Sequence, residues 1–261
     1  MGDPLRDKVL LITGSTGIAA ATAEAAAGVG ARVVVVSRTE EHLRELAGRV
    51  PGLETVAGDL VRAETAEEAV RRCVERHGRL DALFNVAGIS GRRRGDGPLH
   101  ECTEEGWDLT LDTNVKSMFL VCRAALRQMI GQPVAPNGLR GAILNMSSVL
   151  GFSPQARHFA THAYAASKGA ILGMSRALAA YYGPQRIRVN VIAPALVRTP
   201  MSARAQADPE VLELMRAKQP LVEDLIDAND VARAALFLLG DDAKAITGDT
   251  LVVDAGWCVS G

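Results

Sequence analysis

Tyr164 and Lys168 are the two residues whose types and spacing most directly indicate chemistry. They belong to the segment Tyr164-Ala-Ala-Ser167-Lys168, which has helical periodicity. Residues four apart share one helix face, so both side chains can point into the same pocket. A free tyrosine has a pKa of about 10, and a nearby ammonium group lowers it by stabilising the phenolate. The pair therefore predicts proton transfer to or from a substrate oxygen.

Further polar side chains follow apolar runs that are typical of strands. Ser147 and Ser148 come directly after one such run, and Asn85 ends another. Asn114 lies within a long segment of helical period. Because ligands bind outside the carboxyl ends of parallel strands, we expect the hydroxyl groups to lie at a ligand site.

A glycine-containing turn follows the first apolar run. It reads Gly14-Ser15-Thr16-Gly17-Ile18 and leads into an alanine-rich helical segment. Glycine allows a sharp turn close to a pyrophosphate, and the free N–H groups at a helix start stabilise negative charge. The turn predicts a dinucleotide site; the alternative is an ordinary turn between a strand and a helix.

The end of the second apolar run bears on the choice of cofactor. An acidic residue there would accept hydrogen bonds from the ribose 2′-hydroxyl of NAD. This chain has Ser37 and Arg38 instead, which suit a 2′-phosphate. We therefore predict NADP(H) as the preferred cofactor, with NAD(H) possible because Glu40 and Glu41 lie nearby.

The elements that must position these residues alternate along the chain. Apolar runs predict strands at Val9–Ile12, Arg32–Val36, Leu53–Ala57, Ala82–Asn85, Ala142–Met146, Arg188–Ile192 and Thr250–Val253. Helical patterns lie at Ile18–Gly28, Glu40–Arg49, Thr65–His77, Glu104–Met129, His162–Tyr182 and Asn229–Leu239, with Thr39 and Thr103 as caps. Strands that are apolar throughout are buried on both faces. We predict a Rossmann-like, doubly wound α/β fold: a parallel sheet of about seven strands, helices on both faces, and one domain over residues 1–261.

The ordered set of motifs resembles the compact, single-domain branch of the short-chain dehydrogenase/reductase family. Besides the residues above, the chain has Asn190-Val-Ile-Ala-Pro194-Ala-Leu-Val197-Arg-Thr199-Pro200 and Gly248-Asp-Thr-Leu-Val-Val-Asp254-Ala-Gly256. The resemblance runs nearly from end to end. It implies an NAD(P)-dependent alcohol dehydrogenase or ketone reductase that acts as a homotetramer or homodimer.

The resemblance also implies roles for individual residues. Tyr164 is the proton donor or acceptor, Lys168 lowers its pKa and binds the nicotinamide ribose, Ser148 holds the substrate oxygen, and Asn114 supports the proton relay. Asp59 meets the adenine, and Val197 and Thr199 receive the carboxamide. The implied cofactor-binding set is Gly14, Ser15, Thr16, Gly17, Ile18, Ser37, Arg38, Asp59, Leu60, Asn85, Ala87, Gly88, Tyr164, Lys168, Pro194, Val197 and Thr199.

The chain departs from the family pattern at three places, one of which is Ala195, where the family generally has glycine after proline. Two residues rather than three separate Gly14 from Gly17, and alanine replaces the last glycine of the turn. The segment between Ser148 and Tyr164 is about three residues longer than usual. We expect that segment to shape the substrate pocket.

Composition narrows the classes of partner. With 29 basic and 30 acidic residues, the net charge of −1 provides no field that attracts nucleic acid or an anionic membrane. No apolar run reaches the ~20 residues of a membrane span, and the five histidines show no metal-ligand grouping. The four cysteines lack a paired motif and indicate reduced, mostly buried thiols of a cytoplasmic protein.

The substrate is less well defined by the sequence. A small-molecule alcohol or ketone with apolar character is favoured by residues expected around the pocket, namely Leu150, Phe152, Phe159, Leu196, Met201, Leu212 and Met215. The run Arg92-Arg93-Arg94 either binds an anionic substrate tail or is a solvated loop. Two rival functions remain. One is a catalytically idle NADP-binding regulator on the same fold. The other is a hydrolase that uses Ser148 as its nucleophile, although the chain has no G-x-S-x-G elbow to present it.

Overall fold

Seven parallel strands form the centre of the protein, whose computed structural model describes residues 5–260. The strands are β1 (Val9–Thr13), β2 (Arg32–Ser37), β3 (Glu54–Ala57), β4 (Ala82–Asn85), β5 (Gly141–Met146), β6 (Ile187–Pro194) and β7 (Thr250–Val253). They pair in the order β3-β2-β1-β4-β5-β6-β7, and every pair is parallel. This confirms the predicted Rossmann-like, doubly wound fold.

Helices cover both faces of the sheet. They are α1 (Ile18–Gly28), α2 (Glu40–Arg49), α3 (Ala63–His77), α4 (Glu104–Leu111), α5 (Ser117–Gly131), α6 (His162–Tyr182), α7 (Ala203–Gln206), α8 (Pro209–Lys218) and α9 (Ala228–Leu239). One apolar core lies between the sheet and α3, α5 and α6. A second lies between the opposite face and α1, α2 and α9. Burial on both faces explains why β2 has four consecutive valines and why all eight residues of β6 are buried.

The predicted helix Glu104–Met129 is wrong as a single α-helix. A π-helical segment, Asp112–Lys116, interrupts it and separates α4 from α5. The apolar period continues across the interruption, so the sequence pattern does not reveal it. Such π segments are frequent at functional sites, and this one contains Asn114.

Two helices were missed. Helices α7 and α8 follow β6 and bury Ala205, Val211 and Met215 in a third apolar cluster. Among the predicted caps, Thr103 accepts a hydrogen bond from the N–H of Gly106, whereas Thr39 stands at the start of α2 without a side-chain cap bond.

No helix within residues 5–260 has the length and hydropathy needed to span a bilayer. The four cysteines are free thiols, but only Cys73 and Cys122 are buried; Cys102 is partly exposed and Cys258 exposed. The expectation of mostly buried thiols is therefore right for two of them.

Candidate active site

A cleft of about 970 Å³ runs along the carboxyl ends of the central strands. It lies where the strand order reverses between β1 and β4, the position at which open α/β sheets bind ligands. The turn after β1, the ends of β2, β4, β5 and β6, and the start of α6 all contribute residues to it. These are the regions where the sequence predicted a site.

The glycine turn lies at one wall of this cleft. Gly14 and Gly17 have φ angles of +93° and +56°, which side-chain-bearing residues rarely adopt. Gly17 caps α1, and among the described residues no side chain makes a cap hydrogen bond to that helix start. The N–H groups of the first helical turn have no partner within the helix, so they can bind an anion.

Close approach also requires glycine in this turn. A Cβ on Gly17 would lie 2.9 Å from the Cγ2 of Thr199, which follows β6. The hydroxyl of Thr13 accepts hydrogen bonds from the N–H groups of Val86 and Ala87, at 2.9 and 3.0 Å. These contacts fix the turn relative to β4 and to the loop after β6.

Ser37 and Arg38 lie at one end of the cleft, together with Asp59. The hydroxyl of Ser15 donates to that of Ser37 at 2.9 Å, which ties the end of β2 to the glycine turn. Arg38 is exposed, and within residues 5–260 no carboxylate forms an ion pair with it. Its charge is therefore available to a ligand.

Tyr164 and Lys168 lie in the first two turns of α6 and both line the cleft. The Nζ of Lys168 lies over the tyrosine ring, 5.4 Å from its centroid. Lys168 is almost fully buried, and its ammonium group donates to the carbonyl of Met146 at 2.9 Å. The predicted convergence of the two side chains on one pocket is therefore present.

Burial dominates the electrostatics of this pair. Burial raises the pKa of Tyr164 to about 12, and only a hydrogen bond with Ser148 acts in the opposite direction. Burial also lowers the pKa of Lys168 to about 8. Desolvation is the largest cause of both shifts, and the lowering of the Tyr164 pKa by Lys168 stays a prediction. The physical reason is that desolvation disfavours both charged forms.

The two serines after β5 have different surroundings. Ser147 donates to the carbonyl of Lys168 at 2.8 Å and is buried, so its hydroxyl is committed to the start of α6. Ser148 shares a hydrogen bond with Tyr164, accepts one from the N–H of Leu150 at 3.2 Å and contacts the carbonyl of Pro194 at 3.4 Å. Its hydroxyl is thus held beside the phenol.

Asn114 lies behind the cleft wall rather than in it. Its Oδ1 accepts from the N–H of Ile89 at 2.8 Å, and its Nδ2 donates to the Ile89 carbonyl and to Ser167, both at 3.0 Å. A Cβ on Gly88 would lie 2.9 Å from the Asn114 Oδ1. The side chain therefore joins the loop after β4 to α6, and both its amide oxygen and its amide nitrogen are hydrogen-bonded within the protein.

Asn85, unlike the rest of the predicted cofactor-binding set, does not line the cleft, and its contact with a cofactor stays a prediction. It is buried beneath the cleft floor, where its Nδ2 donates to the Oδ1 of Asn145 at 2.9 Å and contacts the thiol of Cys122. The amide of Asn145 in turn donates to Ser175. Because side chains alternate between the two faces of a strand, an asparagine at the end of a strand need not face the ligand. Asn85 links β4 to β5.

The other predicted cofactor-binding residues line the cleft. They are Gly14, Ser15, Thr16, Gly17, Ile18, Ser37, Arg38, Asp59, Leu60, Ala87, Gly88, Tyr164, Lys168, Pro194, Val197 and Thr199. Residues that the sequence reasoning missed include Thr39, His42, Val61 and Val86, which lie close to predicted positions along the chain. Within residues 5–260, no group of three or more His, Cys, Asp or Glu side chains could hold a metal ion.

The substrate end of the cleft was predicted only in part. Leu150, Phe159, Leu196 and Met201 line it, whereas Phe152, Leu212 and Met215 do not. Met215 is instead wholly buried in the core beneath α8. Trp257 was missed: it lines the cleft, packs edge-on against Phe159 with ring centroids 5.9 Å apart, and donates to the Ser153 carbonyl. No sequence signal brings a residue after the last strand to this wall.

Comparisons with known proteins agree with this architecture. A family model described as enoyl-(acyl carrier protein) reductase matches residues 12–258. The A-factor type gamma-butyrolactone 1′-reductase of Streptomyces virginiae is 39% identical, over 98% of this chain and 97% of that protein. Carbonyl reductase (NADPH) 2 of Sus scrofa is 32% identical over 96% of each.

A solved structure gives the same result at the level of the fold. A short-chain type dehydrogenase/reductase from Mycobacterium ulcerans superimposes with a TM-score of 0.87 and 28% identity, over 98% of this chain and 91% of that one. The sheet order, the cleft and the ordered motifs are thus those expected from the sequence resemblance. The chain belongs to the short-chain dehydrogenase/reductase family and is an oxidoreductase.

Proposed function

We propose that this protein interconverts a ketone and a secondary alcohol with NADP(H) as its preferred cofactor. The observation that carries the proposal is the convergence of Tyr164, Lys168 and Ser148 on the cleft whose wall is the glycine turn. The relative from Sus scrofa is named a carbonyl reductase that uses NADPH, which agrees with the proposed chemistry. The proposal covers residues 1–261 as one NAD(P)-binding domain.

The residues present fit a dinucleotide. The turn from Gly14 to Gly17 would hold the pyrophosphate at the uncapped start of α1. Lys168 would hold the nicotinamide ribose, and Val197 and Thr199 the carboxamide. When bound, the nicotinamide supplies or accepts the hydride and, in its oxidised form, carries a positive charge.

Tyr164 moves the proton. Because its pKa is about 12, the phenol is protonated at neutral pH and can donate to the oxygen of a ketone. Ser148, which is hydrogen-bonded to the phenol, holds the same oxygen and stabilises the negative charge that develops there. Lys168 supplies positive charge over the ring, and Asn114 secures the loop at Ile89 against α6. These roles favour the reductive direction.

The preference for NADP(H) rests on Arg38. Its guanidinium is exposed at the cleft and forms no ion pair with Glu40 or Glu41. A 2′-phosphate would provide the missing anion, with Ser37 as a further hydrogen-bond donor.

Two other functions use the same fold and are tested alongside. An idle NADP-binding regulator would have no need of a serine and a lysine arranged around a partly buried phenol. Enoyl reduction, named in the description of the matching family model, adds hydride to a carbon–carbon double bond. The Ser148 and Tyr164 hydroxyl groups instead favour a substrate with oxygen on the hydride-accepting carbon.

The proposal also includes a cytoplasmic location and a homotetramer or homodimer.

The deciding experiment is a screen of ketones and an enoyl thioester with NADPH and NADH, and of secondary alcohols with the oxidised cofactors. The absorbance of the reduced nicotinamide measures turnover in each case. We expect turnover of ketones and a lower KM for NADPH than for NADH. Cofactor binding without turnover of any substrate would favour the regulator. Light scattering after size-exclusion chromatography gives the oligomeric state.

A further inference from the structure

Two arginines meet in the substrate end of the cleft. The Nη2 of Arg92 donates to the backbone carbonyl of His158 at 3.0 Å, and the Nη2 of Arg204 approaches the same oxygen at 3.3 Å. Both arginines line the cleft, as does Tyr164. Two like charges therefore share one neutral acceptor in the cleft that Tyr164 also lines.

Arg92 lacks a carboxylate partner. The nearest acid on its own loop is Asp96, but the two oxygens of Asp96 accept from the N–H groups of Ala163 and Tyr164, at 3.0 and 2.9 Å. Throughout residues 5–260, no Asp or Glu forms an ion pair with Arg92, whereas Arg204 pairs loosely with Asp208 at 3.4 Å. The pKa of Arg92 lies below its ordinary value because of burial and the proximity of Arg204, which outweigh the attraction of Asp96.

The loop that carries Arg92 is fixed rather than freely solvated. Arg92–Arg94 form a 3₁₀ turn between Gly91 and Gly95, both with positive φ angles. A Cβ on Gly91 would collide with Thr110 and Asp96, and one on Gly95 would collide with Thr103, so the loop lies tightly against α4. Of the three arginines, only Arg92 is partly buried, and Arg93 and Arg94 are exposed.

We propose that Arg92 and Arg204 bind a carboxylate of the substrate, so that the protein acts on keto acids and the corresponding hydroxy acids. A partly buried guanidinium without an anion is costly, and its planar fork matches a carboxylate. The same cleft is lined by the apolar side chains of Leu150, Phe159, Leu196, Met201 and Trp257, which suit an alkyl chain between the ketone and the carboxylate. This inference rests on the proposed ketone–alcohol function.

The test compares keto acids with their methyl esters, in a series in which the distance between ketone and carboxylate increases. We expect wild-type kcat/KM to favour an acid over its ester, and Arg92→Gln to lower kcat/KM for that acid by about 10- to 100-fold. Turnover of the uncharged ester should fall much less, and thermal unfolding of the variant shows that it is folded. Arg92→Lys should retain part of the preference because it keeps the charge. Arg233→Gln, which removes an exposed arginine paired with Asp230 on α9, controls for net charge.

The outcomes separate this inference from the proposed function. If esters and acids are reduced equally well and Arg92→Gln changes neither, the carboxylate site is refuted while ketone reduction stands. If no ketone is turned over, calorimetric binding of a non-reacting alkyl carboxylate decides the question. Binding that Arg92→Gln abolishes and Arg233→Gln retains supports the site, and equal binding to all three proteins overturns it.

Discussion

The carboxylate of Asp96 caps the helix that carries Tyr164. Its Oδ2 accepts a hydrogen bond of 2.9 Å from the backbone N–H of Tyr164, and its Oδ1 accepts one of 3.0 Å from that of Ala163. Thr161, which precedes α6, makes no side-chain cap bond. A residue from the loop after β4 therefore takes the place of a local cap and connects the arginine loop to the phenol.

Replacing this cap should affect both stability and turnover. Asp96→Ala leaves two N–H groups without acceptors, and we expect it to lower the free energy of unfolding by about 1–3 kcal/mol. It should lower kcat more than it raises the cofactor KM, because the start of α6 positions Tyr164. Asp96→Asn keeps one acceptor and should have a smaller effect. Urea unfolding and steady-state kinetics measure both, and an unchanged kcat in Asp96→Ala would contradict the positioning role.

Tyr164→Phe tests the proton donor directly. The variant keeps the ring but loses the hydroxyl group, so we expect kcat to fall by about 100- to 10,000-fold with little change in cofactor affinity. Steady-state kinetics and fluorescence titration with NADPH measure the two quantities. Tyr181→Phe, at an exposed position on the same helix, is the matched control and should retain full activity. Near-normal turnover in Tyr164→Phe would refute the assigned role.

Arg38→Gln tests cofactor choice. Removing the guanidinium should raise the KM for NADPH about 10-fold or more, because a charge-assisted hydrogen bond to the phosphate is lost. The KM for NADH should stay nearly constant. Arg44→Gln changes another exposed arginine, on the neighbouring helix α2, and should affect neither cofactor. A wild-type protein that clearly prefers NADH would reject the assignment.

Gly17→Ala tests the turn. The added Cβ meets Thr199, and the alanine is held at a φ angle of +56° that residues with a side chain rarely adopt. We therefore expect a loss of stability of about 1–3 kcal/mol and weaker binding of both cofactors. Gly48→Ala is the control, because Gly48 lies within α2 with open space around it. That change should stabilise the protein by about 0.5–1 kcal/mol. Equal melting temperatures of the two variants would contradict the strained turn.

Burial of Lys168 should make stability depend on pH in a defined direction. Its pKa is about 8 in the folded protein, against 10.5 for a solvent-exposed lysine, so the unfolded chain binds the extra proton between these values. The wild type should therefore gain stability relative to Lys168→Met as pH rises from 8 to 10.5, by about 3 kcal/mol in total. The gain is lost again as pH falls back through this range.

Urea unfolding at several pH values measures that difference. The raised pKa values of Cys73 and Cys122 act in the opposite direction, but they occur in both proteins and cancel in the comparison. Tyr164 contacts Lys168 and so does not cancel, but it contributes little below pH 10, the ordinary pKa of tyrosine. Lys116→Met removes an exposed lysine and should show no such trend. A pH-independent difference between wild type and Lys168→Met would mean that Lys168 is not desolvated.

The sequence alone determined the seven strands and most of the helices, the turn at Gly14 and Gly17, and the pairing of Tyr164 with Lys168. Each of these depends on neighbours close along the chain: an apolar period, a glycine where φ is positive, or two residues one helical turn apart. Such local signals also placed Ser148 beside the site, because residues that follow parallel strands meet at one edge of the sheet.

Only the tertiary structure decided the features that depend on distant contacts. The burial of Asn85 depends on which face of β4 it occupies, and the approach of Trp257 to Phe159 brings the end of the chain to the cleft. The raised pKa of Tyr164 follows from its desolvation, which no spacing between residues records. The same holds for the meeting of Arg92 with Arg204 and for the cap that Asp96 provides to α6. In each case the interacting groups are far apart in the sequence, and folding alone determines their distance and their access to water.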